Sequence, residues 1–162
     1  MSNNMFLEFT GGPVTIKGET KDSDHVDWVD IESWNWGSFH PGSFQHGTGG
    51  ASQAPTGTDF TFTKLTDSSS HSLLQALLQA SHIEKVKLEI IKTSSGGTKF
   101  AFLTMEFTPA MITGFNTGGS SAPYMEQISI AFGKVRFAYK PQDQAGEPMG
   151  EKEYEYDFQA ST

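Results

Sequence analysis

The chain has no cysteine. That excludes a disulfide framework, a thiolate nucleophile and a Cys-ligated zinc, and it makes the fold indifferent to the redox state of its surroundings. Basic residues are few: eleven Lys and Arg stand against nineteen Asp and Glu, a formal charge of −8. A phosphate backbone is held by clustered cations, and here they are scattered, so nucleic acid is excluded as a partner. Long apolar runs are missing too. No stretch approaches the roughly 20 residues that span a bilayer, and the start, Met1-Ser-Asn-Asn-Met-Phe, has neither a basic region nor an apolar run of signal-peptide length. The expectation is no membrane insertion, synthesis in the cytoplasm, and departure, if any, by a route that needs no cleaved signal.

What is abundant is aromatic and β-forming. Thirteen Phe, three Trp and four Tyr, with Val, Ile and Thr recurring in short runs between Gly, Ser and Asp clusters, predict a mainly β chain with one core and one domain over 1–162. Residues 5–9 form a short apolar run ended by Gly11, Gly12 and Pro13, and 14–22 give a second short run and a polar turn, so two small strands are expected. In 26–37 the phase changes: Val29 and Ile31 share one parity, Trp34 and Trp36 the other, which requires a bulge or cover on both faces. With Trp34 and Trp36 inward, Ser33 and Asn35 line the opposite face, because successive side chains alternate.

Residues 41–57 hold Gly42, Gly47, Gly49, Gly50 and Gly57 with Pro41 and Pro55, and Phe44 is the one large apolar residue among them. A loop of this length inside a compact chain calls for a contact that the monomer does not supply. Phe60 and Phe62 then alternate with Thr61 and Thr63, a half-buried strand. Ser70 is placed to cap a helix over about 71–81, with Leu73, Leu74, Leu77 and Leu78 as its apolar set.

Strand patterns resume with Val86, Leu88 and Ile90; Gly96-Gly97 makes a hairpin turn, and 116–121 reads as a loop. In 126–139, Ile128, Ile130 and Phe132 share one parity and Val135, Phe137 and Tyr139 the other, with a bulge or sharp bend expected at Gly133. Tyr154, Tyr156 and Phe158 alternate with acidic residues in a last strand. The expected core includes Trp34, Trp36, Phe60, Phe62, Leu74, Leu77, Ile128 and Ile130. The count is about eight or nine strands and one short helix, a two-sheet barrel or sandwich.

A reaction centre needs a constellation, and each candidate has a plainer reading. The five histidines include no helical metalloprotease pair. Asp22, Asp24 and His25 offer alternate-position ligands for a cation but also make an ordinary polar turn. Gly47-Thr-Gly-Gly lacks the Lys and Ser or Thr of a phosphate-binding loop. Glu8, Glu19, Glu32 and Glu106 are carboxylates that no motif brings together. Trp28, Trp34 and Trp36 could stack on sugars if displayed, which leaves a free carbohydrate- or ligand-binding β domain as the alternative, but core packing accounts for them first. No catalytic residue, metal or cofactor is expected.

The order and spacing of five marks carry a resemblance along nearly the whole chain: Ile16-Lys-Gly-Glu-Thr; Val29-Asp-Ile-Glu-Ser-Trp-Asn-Trp-Gly with the Gly-rich loop after it; Phe60-Thr-Phe-Thr-Lys leading to Asp67 and the Leu-rich helix; Glu126-Gln-Ile-Ser-Ile-Ala-Phe-Gly-Lys-Val; and Tyr139-Lys-Pro-Gln. The sequence resembles the haemolysin-coregulated protein family, the inner-tube subunit of type VI secretion. One departure is His71, where many members have Pro at the first helical position. The resemblance implies hexameric rings that stack into a tube, carry effectors and a spike complex, are wrapped by a contractile sheath and are expelled. It implies that the loop with Gly42, Phe44, Gly47, Gly49 and Gly50 reaches a neighbouring ring. The helix and the Trp34–Trp36 strand would border the lumen, where alternation places Ser33 and Asn35 toward cargo.

Overall fold

The computed structural model describes residues 4–42 and 54–160. Among them are eleven strands and one helix: β1 (Met5–Thr10), β2 (Val29–Asp30), β3 (Ser33–Asn35), β4 (Ser38–Phe39), β5 (Thr56–Gly57), β6 (Phe60–Leu65), α1 (Ser70–Leu78), β7 (His82–Ile83), β8 (Lys85–Thr93), β9 (Lys99–Gly118), β10 (Met125–Tyr139) and β11 (Lys152–Asp157). Nine strands form one antiparallel sheet in the order β2-β1-β8-β9-β10-β6-β3, with β11 added on β10 and β7 on β9; β4 and β5 make a separate ribbon. The mainly β class with one helix holds, with one curled sheet and a ribbon.

The sheet curls because its two ends are pieces of one segment. β2 pairs with β1, β3 pairs with β6, and between them the Ile31 amide donates to Met5 while that of Glu32 donates to Thr63. This switch of partner explains the change of phase in 26–37: Val29 and Ile31 are fully buried, and Trp34 and Trp36 pack half-buried against the same core. Residues 14–20 are irregular rather than the expected strand. They lie against the closing segment through Gly18, whose amide bonds to Asp27 and where a Cβ would meet the Trp28 carbonyl oxygen at 2.2 Å.

The β8–β9 hairpin turns at Gly97, in a left-handed conformation with φ +86°, as the glycine pair predicts. β9 is longer than expected, running through Pro109 to Gly118, so 116–118 are strand and not loop. The change of inward parity in β10 falls at Gly133, but without an inserted residue: Phe132 stays opposite Ala110 and Lys134 opposite Thr108. Phe107 and Ala110 are both buried, so β9 changes parity in step with β10 and the paired strands bend together. The register shift in this pair lies instead between Ser129 and Ile130.

The core of Phe60, Phe62, Ile128 and Ile130 is fully buried as expected. The helix differs. It starts at Ser70 and ends at Leu78, with Ser69 at the capping position and no side-chain cap, so His71 is its second residue rather than its first. Leu73 and Ala76 are buried and Leu77 half-buried, but Leu74 is 39% exposed and Leu78 75%. At 100° per residue a short helix buries positions i, i+3 and i+4 and turns i+1 and i+5 away. Leu74 therefore does not belong to the core.

Candidate functional site

The surface expected to face a lumen is built by β3. Ser33 and Asn35 are exposed on one side of that strand, while Trp34 stacks on Phe60 with ring centroids 6.2 Å apart. Trp36, just beyond, packs against Phe132 and Phe107. The Ser33 and Thr63 hydroxyls are 2.6 Å apart across the β3–β6 pair. Both tryptophans thus serve the core, and the sheet face beside them is lined by small polar groups.

The expected loop over 41–57 is held at its base by the β4–β5 ribbon, in which Ser38 opposes Gly57 and Phe39 opposes Thr56; Thr56 and Gly57 are strand and not loop. Gly42 is exposed next to this ribbon. Phe44, Gly47, Gly49 and Gly50 lie outside the described residues.

Two polar clusters go beyond the sequence reading, one of them missed there and the other read only as the polar turn of Asp22, Asp24 and His25. Lys64 is fully buried. Its ammonium donates to Glu126 (2.7 Å) and to the Ser70 hydroxyl (3.1 Å) and lies 2.9 Å from Asp67. Lys64 and Glu126 are direct cross-strand partners of β6 and β10, and Ser70, which also donates to Glu126, begins α1. The cluster therefore ties the helix start to the barrel. A signal was present: Lys64 continues the inward parity of Phe60 and Phe62, and Glu126 that of Ile128 and Ile130.

The second cluster is centred on His25, also buried. Its ring stacks on Phe6 at 4.3 Å, and its two nitrogens lie 3.0 Å from Asp22 and 2.8 Å from Glu89. The hydrogen bond to His25 holds the Asp22 carboxyl below the usual carboxylate range. Asp24 takes no part in binding the ring; its amide donates to Asp22. Asp22 opens onto a cleft of about 510 Å³ shared with Glu19, Asp30, Glu32 and Asp67. There burial pushes Asp30 up, and the neighbouring acids Asp67, Asp22 and Glu19 add to the rise against a hydrogen bond from Thr20. Among the described residues no group of three or more His, Asp or Glu side chains is placed to hold a metal ion. Of the four carboxylates considered above, Glu19 and Glu32 share this cleft, and Glu106 lies near Lys85, Lys87 and Arg136.

No described helix is long and apolar enough to cross a membrane. Fold and side-chain clusters together define a curled β-sheet protein of half-barrel form whose polar clusters brace the scaffold. The family model for the type VI secretion system effector Hcp matches residues 6–139. Protein hcp1 of Pseudomonas aeruginosa is 31% identical over 152 residues, covering 93% of this chain and 91% of the relative. A solved type VI secretion system effector from Yersinia pestis superimposes with a TM-score of 0.73 at 27% identity, over 94% of this chain and 98% of that one. A structure described as a type six secretion system protein superimposes with a TM-score of 0.85 over 98% and 97% of the two chains, at 23% identity. The chain belongs to the Hcp family of type VI secretion proteins.

Proposed function

We infer that this chain is a non-enzymatic structural subunit of a type VI secretion inner tube. The reading treats 1–162 as one unit that waits in the cytoplasm, closes into hexameric rings and stacks them into a tube. The tube carries effectors in its lumen beneath a spike, and sheath contraction secretes it without a cleaved signal. Family membership over residues 6–139 carries this reading. Two features fit it. The loop that opens at Gly42 is read as the segment that reaches a neighbouring ring, and its Gly47, Gly49 and Gly50 beside the single large Phe44 give it little side-chain bulk. Ser33 and Asn35 give the lumen small uncharged groups that hold varied cargo through many weak contacts.

The test is the mass of the untagged chain by light scattering coupled to size exclusion, with imaging of the same peak. A particle of six 17.7 kDa chains with a central hole is the expected result. A monomer at every concentration overturns the reading.

A further inference from the structure

His25 is buried with an acid at each end of its ring. The two ring nitrogens face Asp22 at 3.0 Å and Glu89 at 2.8 Å, and the side chain is only 7% exposed. A neutral imidazole has one N–H and one lone pair, whereas an ionised carboxylate only accepts. Whichever tautomer a neutral ring adopts, one lone pair is then aimed at a carboxylate oxygen, and a buried polar contact left unmade is costly. The three groups are satisfied only when together they hold one proton more than a neutral ring between two carboxylates.

The surroundings place that proton on the ring. The hydrogen bond to His25 holds the Asp22 carboxyl low, and the second Asp22 oxygen lies 3.5 Å from the Lys99 ammonium at the start of β9. Glu89 meets Lys87, on the same face of β8, at 3.3 Å through the oxygen that His25 does not use. Each acid therefore has a lysine on its far side and takes an N–H from the ring on its near side. Asp24 adjoins the ring in the same turn, its amide donating to Asp22, and Asp30 on β2 faces Asp22 across the cleft; both negative charges favour a cationic ring. Phe6 stacks on that ring at 4.3 Å and Trp28 crosses it at 85°, and aromatic faces suit a cation.

The position in the chain gives the proton a consequence. His25 stands in the turn that feeds β2: its amide donates to Asp22, and its carbonyl accepts from Trp28. Glu89 belongs to β8, two places from β2 in the sheet. The cluster therefore ties the entry of the closing segment to a strand that it does not pair with.

We propose that Asp22, His25 and Glu89 form a proton-dependent latch: the doubly protonated ring fastens the turn before β2 to β8, and removal of one proton weakens that fastening. Folded chains then hold a proton that unfolded chains release once pH passes about 6.5, the value of a free histidine. The latch contributes fully below that pH. Its contribution falls as pH rises, the unfolding constant growing about tenfold per pH unit until the folded ring also lets go. The latch acts within one subunit and stands whether or not the chain closes into rings.

The experiment compares the full-length parent with Glu89→Gln by urea unfolding at one protein concentration, from about pH 6 to about pH 8.5. A Gln amide donates to a ring lone pair, so the variant is satisfied by a neutral ring. The parent unfolding constant is expected to rise about tenfold more than that of the variant over this range, the other histidines contributing equally to both. Equal slopes overturn the proposal. A second measurement needs no variant and decides the matter should Glu89→Gln fail to fold. Nitrogen NMR of histidine-labelled parent at about pH 7.5 is expected to show a proton on both nitrogens of the His25 ring, and one bare nitrogen there overturns the latch.

Discussion

Lys64 and Lys134 sit on neighbouring strands of the same sheet, each beside a carboxylate, yet they do different work. Lys64 is fully buried among Glu126, Asp67 and Ser70, whereas Lys134 meets Glu155 in the open, with both side chains more than 40% exposed. An exposed pair gives little, because water screens it and two long side chains must be held still. A buried pair is costly to assemble, and losing one partner strands the other charge away from water. Geometry alone does not separate the two cases; burial does.

The largest effect is therefore expected from Lys64→Met. Breaking one side of a buried pair destabilises by roughly 3–5 kcal/mol, to be measured by urea unfolding. The double variant Lys64→Met/Glu126→Leu is expected to recover part of that loss, because Glu126 is no longer stranded while Asp67 keeps its hydrogen bonds from the Ser69 amide and hydroxyl. A double variant as unstable as the single one would show that the hydrogen bond to Ser70 and the ion pair with Asp67, rather than the stranded Glu126 charge, hold this region.

Asp22 and Asp30 extend the contrast to pH, since they share one cleft with opposite shifts. Asp22 is held low by its hydrogen bond to His25. Its stabilising contribution is thus present above the unfolded carboxylate value of about 3.9 and is lost as pH falls through the lower folded value. Asp30 is pushed up by burial, so its charged form is a penalty at neutral pH that disappears on acidification. Asp22→Asn is expected to flatten the acid side of the stability profile below about pH 4, and Asp30→Asn to raise the urea midpoint at pH 7. The same sign of change for both variants at neutral pH would contradict this account.

The smallest effect is expected from Lys134→Ala, with a melting temperature indistinguishable from the parent. A clear drop would mean that the Lys134–Glu155 pair holds β11 in place, and would remove the distinction drawn between the two lysines.

How much of this could be read from residues follows the same line. Strict alternation located β6 and the first half of β10, because the period of two survives wherever one face is buried. It could not separate the closing segment into β2 and β3, since that break is set by a change of partner strand. The run of four leucines located the helix but overfilled its inward side, a limit of reading composition before angle. Lys64 and Glu126 were visible only as charges at inward parity, and His25 was legible beside Asp22 as a polar turn but not as a partner of Glu89, which reaches it from a distant strand. Ser33 and Asn35 were placed by alternation alone, and both stand on the exposed side of β3.

The closing segment also has a kinetic consequence. β8, β9 and β10 are neighbours in sequence and can pair by hairpin formation, but β1 must find β8, and residues 29–35 must join β1 to β6. Loop closures of that span are slow compared with hairpin steps. Until they finish, β1 and β6 each present an unpaired edge on which another chain can add a strand. Residues 29–35 thus govern how long a newly made chain stays vulnerable to misassembly, and Ile31, buried at the switch between the two edges, is where a cavity would lengthen that interval.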